Sequence, residues 1–129
     1  MKQILVLLLC SLLLVGCGEP TQEAVYQQVD MAEAIRLMEE ERDYILLDVR
    51  TVEEYNERHI PGAIVIPNET IGDTAPSELP DKAQLILVYC RSGNRSKQAA
   101  AKLAELGYTN VVEFGGINDW PGETVSAAM

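Results

Sequence analysis

Cysteine is scarce in this chain: Cys10, Cys17 and Cys90 are the only three in 129 residues. Their spacing forms no C-x-x-C pair and no zinc pattern, which excludes thioredoxin-like dithiol chemistry and zinc fingers. Basic residues are also few. Ten Lys and Arg stand against twenty Asp and Glu, a formal net charge of −10, and that balance argues against nucleic acid as a partner. Solvated helix faces such as Glu39-Glu40-Glu41 account for the acidity without a special ligand. No apolar run reaches the roughly 20 residues that a membrane-spanning helix needs. Internal repeats and low-complexity blocks are missing, and neither a metal site nor a cofactor is expected. Aromatics at 5% and charged residues at 23% still describe an ordinary globular chain. Its length suits one domain with its own core.

The amino terminus carries the first positive signal. Lys2 is followed by an apolar stretch from Ile4 to Val15, the length of a signal-peptide core. Leu14-Val15-Gly16-Cys17 closes that stretch and resembles the bacterial lipobox. The resemblance implies cleavage before Cys17, a diacylglyceryl thioether on Cys17 and an acylated amino terminus, enough chains for stable anchoring. Residues 1–16 are then the expected signal peptide, 17–25 the lipidated cysteine and a polar tether, and 26–125 the folded domain. The expected location is the bacterial cell envelope, lipid-anchored to a membrane and facing outside the cytoplasm. Cys90 would remain as the sole free thiol.

Within the domain, residues 24–29 form a weak candidate strand. Asp30-Met31-Ala32-Glu33 fits a capping box, and Met31, Ala34, Ile35 and Met38 share one helical face through about Arg42. Residues 44–49 read as a buried strand. Thr51-Val52-Glu53-Glu54 is a second capping box, opening a short helix to about Arg58. A turn at His59-Ile60-Pro61-Gly62-Ala63 leads to a strand at Ile64-Val65-Ile66, and residues 68–80 read as loop with at most one helical turn. A last strand is expected over 110–114, followed over 115–122 by a tight turn and one possible helical turn. Strands alternating with helices of about ten residues predict a parallel sheet covered on both faces.

The most informative stretch is Tyr89-Cys90-Arg91-Ser92-Gly93-Asn94-Arg95-Ser96. Leu85-Ile86-Leu87-Val88 before it is the pattern of a strand buried on both faces. Lys97 to Leu106 after it has helical rhythm and stops at Gly107. The cysteine thus sits where a parallel strand yields to a helix, the place where open α/β sheets bind ligands. Loop amides, the positive helix end and two arginines all favour a sulfur anion there. Gly93 lets the chain turn so that amides point inward.

Four segments together carry a family resemblance. They are Leu47-Asp48-Val49-Arg50, then Glu57 to Ala63, then Cys90 to Ser96, then Gly115-Gly116-Ile117 with Trp120. In this order and spacing the domain resembles a single-domain rhodanese, a sulfurtransferase. The resemblance implies a three-layer α/β sandwich with a five-stranded, mainly parallel sheet and helices on both faces. It implies that Cys90 takes a sulfane sulfur from a donor such as thiosulfate, becomes a persulfide, and passes the sulfur to a thiol or cyanide-like acceptor. A protein acceptor is equally open. Arg91 and Arg95 suit an anionic donor, with bracing of the loop as the other role open to each; Ser92, Gly93, Asn94 and Ser96 complete the loop. Asp48 and Arg50 are expected as a supporting ion pair rather than as catalytic groups. His59 invites a Cys–His pair, but its segment in the resembling family is a structural turn. Trp120 and Tyr108 are expected in packing roles.

Two other readings compete. Phosphatases and arsenate reductases on the same fold need Cys-x5-Arg, whereas here Cys90 and Arg95 enclose four residues and position 96 is Ser96. The shorter loop suits one terminal sulfur. A membrane-tethered persulfide carrier or binding module with little turnover is the other reading, and the carrier would use the same cysteine.

Overall fold

The computed structural model describes residues 25–127. Five strands are present: β1 Gln27–Gln28, β2 Tyr44–Asp48, β3 Ile64–Val65, β4 Leu85–Cys90 and β5 Val111–Gly116. Three α-helices separate them: α1 Met31–Glu40, α2 Val52–Glu57 and α3 Asn94–Glu105. One-turn 3-10 helices cover Asn68–Thr70 and Ile117–Asp119. The strands form one sheet in the order β1-β5-β4-β2-β3, every pairing parallel.

Strand β4 lies at the centre, flanked by β5 and β2, and its residues alternate between two cores. Ile86, Val88 and Cys90 join Ala99, Ala100 and Leu103 of α3, while Leu87 and Tyr89 join Ala34 of α1 with Ile60 and Phe114. Both faces are covered, so the strand is apolar throughout rather than alternating. Each fully buried aliphatic side chain of this kind contributes about 2 kcal/mol.

Local signals explain most boundaries. Asp30 caps α1, its Oδ1 accepting from the Glu33 N–H at 2.8 Å. The reciprocal half of that expected capping box is not made, because the Glu33 side chain turns to Arg36. At α2 the box is complete: Thr51 and Glu54 satisfy each other's backbone N–H.

Two expected boundaries shift. Helix α3 begins at Asn94, not Lys97, with Gly93 as its N-cap at φ 109°. Its first turn, Asn94-Arg95-Ser96-Lys97, has no apolar residue and so shows no helical period in the sequence. Of the turn expected over 115–122, Gly115 and Gly116 instead end β5, and the single helical turn forms at Ile117–Asp119. Between the Val88↔Glu113 and Cys90↔Gly116 pairings β5 carries one extra residue, a bulge that carries the strand past the cysteine. The leader, Cys10, Cys17 and residues 18–24 of the tether lie outside the described residues.

Candidate active site

Cys90 ends β4, and α3 starts four residues later, so the helix's unpaired amide end faces the loop between them. The cysteine keeps 1% of its surface, which bars bulky groups from the sulfur. Gly93 donates its N–H to Sγ at 3.0 Å. That bond depends on the left-handed φ of Gly93, which L side chains rarely adopt. Ser96 Oγ lies 3.4 Å from Sγ on the other side. Arg91, Ser92 and Asn94 form the exposed rim, while Gly93 and Ser96 are buried.

The two loop arginines behave differently. Arg95 forms a two-pronged ion pair with Glu54 of α2, at 2.6 and 2.9 Å. Those hydrogen bonds hold the Arg95 guanidinium above its ordinary range. They also pull the Glu54 carboxyl from 4.5 down to about 2, helped by the Thr51 backbone N–H. Arg95 is therefore a brace that ties the helix start to α2. Arg91 has a 60% exposed side chain whose Nε stands 3.4 Å from the same carboxylate. That single long contact leaves most of its side chain in solvent at the rim.

Asp48 and Arg50 pair as expected, with Nη2 and Nε of Arg50 donating to the carboxylate at 2.7 to 3.1 Å. Burial alone would disfavour the Arg50 cation, but the hydrogen bonds and charge of Asp48 outweigh it and raise its pKa. The pair belongs to the face of Tyr89, opposite Cys90. Arg50 Nη2 also donates to the Arg58 carbonyl at 2.6 Å, so it secures the end of α2, the helix that presents Glu54. Its reach to the loop is indirect.

His59 stands apart from the cysteine. Its ring stacks on Tyr55 at 3.7 Å, with Nδ1 2.8 Å from the Tyr55 carbonyl, and its backbone bridges to Val125. Tyr108 is buried and donates to the Leu79 carbonyl at 2.6 Å; Trp120 packs against the α1 core. These are packing roles.

One residue of the site escaped the sequence reading. Glu113 on β5 is 2% exposed. Its Oε1 accepts from Ser96 Oγ at 2.6 Å and from the Gly115 N–H at 2.8 Å. The signal was present: Glu113 is the only charged residue in the apolar run Val111-Val112-Glu113-Phe114. Among the described residues no group of His, Cys, Asp and Glu is arranged to hold a metal ion.

Comparison with known proteins agrees with this geometry. Residues 30–123 match the family model of the rhodanese-like domain. The chain is 41% identical over 73 residues to the thiosulfate sulfurtransferase PspE of Escherichia coli, covering 57% of this chain and 70% of that one. It is 35% identical over 107 residues to the putative sulfur carrier protein YrkF of Bacillus subtilis, covering 82% of this chain and about half of YrkF (52%). Among solved structures, a rhodanese with anions from E. coli superposes with a TM-score of 0.59 at 37% identity, over 64% of this chain and 98% of that one. The chain belongs to the rhodanese-like family and is a sulfurtransferase of the rhodanese type.

Proposed function

We propose that Cys90 carries the transferred sulfur as a persulfide, taken from a small anionic donor such as thiosulfate and handed to a thiol or cyanide-like acceptor. The observation that carries this reading is the enclosure of Sγ by the Gly93 N–H and Ser96, with the exposed Arg91 at the rim, held only by one long contact to Glu54. Such a loop supports an anionic sulfur and admits one atom at a time. The thiolate attacks the outer sulfur of the donor. The new S–S bond forms as the donor's own S–S bond breaks, and sulfite leaves with the electron pair. Arg91 meets the departing oxyanion. Arg95 is already engaged by Glu54, an arrangement that disfavours a phosphatase-like cradle.

The mass of the Cys90 peptide after thiosulfate treatment, and again after cyanide, tests the proposal. One sulfur atom gained and then lost is expected. No gain, or a gain that persists in Cys90→Ser, would sink it. The relative named as a putative sulfur carrier favours a second reading, in which the persulfide is held for a partner protein. Stoichiometric loading without multiple turnover would select that reading.

We also propose that Cys17 is lipidated and tethers the domain to the cell envelope, outside the cytoplasm. The support is the apolar stretch and Leu14-Val15-Gly16-Cys17. Metabolic labelling with a palmitate analogue should mark the protein, and Cys17→Ser should abolish the label. An unlabelled wild-type protein would refute the anchor.

A further inference from the structure

We propose that Glu113 receives the Cys90 thiol proton through Ser96, so that the loop carries one negative charge both before and after sulfur arrives. This rests on the persulfide reading above for its context, but not for its test.

The residues form a continuous hydrogen-bonded line. Cys90 Sγ is 3.4 Å from Ser96 Oγ, which is 2.6 Å from Glu113 Oε1. All three side chains are buried, with the residues 1%, 0% and 2% exposed. Each end has one backbone donor of its own: Gly93 N–H on the sulfur and Gly115 N–H on Oε1. A serine hydroxyl has a single proton, so it can donate in only one direction at a time. When it donates to Glu113, the thiol donates to Oγ. When Glu113 is protonated and donates to Oγ, the hydroxyl donates to a thiolate. The two arrangements differ by the shift of two protons along the line, and each leaves an anion beside a backbone N–H.

Charge explains why such a line is useful. Glu113 takes part in no ion pair among the described residues, and a buried anion without a cation is costly. A thiolate or persulfide two hydrogen bonds away from an ionised carboxylate would add a second one. Moving the proton avoids that. Sγ–H gives its proton to Oγ as Oγ gives its own to Oε1; Sγ attacks the outer sulfur; sulfite departs with the electron pair of the broken S–S bond. The outer sulfur of the persulfide now bears the charge that Glu113 has lost. When an acceptor nucleophile takes that sulfur, the electron pair of the persulfide bond returns to Sγ, and the proton returns along the same line. Ser96 touches the reacting atom; Glu113 is a positioning residue that acts only through Ser96.

The alkylation rate of the Cys90 peptide by iodoacetamide at neutral pH, measured in the purified protein, gives a test whose sign is decisive. Glu113→Gln keeps an Oε1 that accepts from Ser96 and Gly115 but cannot take a proton. It should slow alkylation about a hundredfold, the low end of what a positioned proton acceptor contributes. Ser96→Ala breaks the line in the middle and should slow it similarly. If Glu113 acted only as a buried charge, removing it would favour the thiolate and speed the reaction. An unchanged or faster rate in Glu113→Gln overturns the proposal. Infrared difference spectra on thiosulfate loading supply a second readout: the C=O stretch of a protonated carboxyl should appear in the wild type and be missing in Glu113→Gln. A loaded wild type without that band overturns the proposal as well. Alkylation requires no sulfur transfer. A protein whose alkylation depends on Glu113 but which never gains sulfur would therefore uphold the relay and refute the persulfide.

Discussion

Replacing Gly116 by alanine should cripple the active loop from a neighbouring strand. Gly116 has an ordinary extended backbone, φ −142°, so alanine brings no conformational strain. The obstacle is space. A Cβ on Gly116 would stand 2.0 Å from the Arg91 carbonyl oxygen, 2.3 Å from its carbon and 2.6 Å from the Ser92 nitrogen. Carbon and oxygen normally rest near 3.5 Å, so the Cys90 loop or β5 must withdraw by roughly 1 Å or more. The contact is backbone, and no rotamer relieves it. Arg91 is also pinned at this point, its carbonyl accepting from the Asn118 N–H at 3.2 Å. Overpacking of this kind costs about 1–3 kcal/mol. A displacement near 1 Å at a reacting group costs about a hundredfold in rate. The assay is thiosulfate-to-cyanide sulfur transfer alongside a thermal melt. Gly62→Ala serves as the control, since a Cβ there meets nothing within 4 Å but suffers φ 87°; it should lose about 1 kcal/mol of stability and keep its transfer rate. Wild-type transfer in Gly116→Ala would refute the claim that β5 and the loop are in essential contact.

Asp48→Asn would leave Arg50 as a buried cation facing a neutral amide, a change that costs about 3–5 kcal/mol; urea unfolding measures it, and a loss below about 1 kcal/mol would contradict the buried pair. Glu54→Gln should remove an acid-sensitive part of the stability. The Glu54 carboxyl falls from 4.5 to about 2 on folding. A lowered folded pKa gives stability that is complete above the unfolded value and lost as pH falls toward the folded one. The melting temperature of Glu54→Gln should thus lie below wild type at pH 6 and converge with it between about pH 4.5 and 2. A constant difference across that window would exclude the Glu54–Arg95 pair as its source.

Strand positions and the cysteine loop were readable because their signals are local. The apolar run before Cys90 marks a central strand, Asp30 and Thr51 mark helix starts, and each appears where expected. The start of α3 was hidden because Gly93 replaces a side-chain cap with a backbone conformation. Residue roles that depend on pairing across the fold were less legible. Whether Arg95 faces outward or back could not be decided until Glu54, forty-one positions away, was placed beside it. Glu113 shows the same limit: one acid in an apolar strand is visible, but its meeting with Ser96 follows from the register that pairs Glu113 with Val88, on the same face as Cys90. Asp48 and Arg50 formed the expected pair, yet strand parity puts them on the face away from the sulfur.

Helix α2 has six residues and buries none of them, while β4 is bonded on both sides at the middle of the sheet. Elements so different in burial open with different free energies, and native-state hydrogen exchange should release the amides of 52–58 well before those of 86–90. Glu54 travels with α2. Each brief opening of that helix therefore frees the guanidiniums of Arg91 and Arg95 from their shared carboxylate while Cys90 stays anchored. The positive charge offered to an arriving anion is thus a fluctuating quantity with its own equilibrium constant, set by a short exposed helix and tunable without altering the sulfur's surroundings.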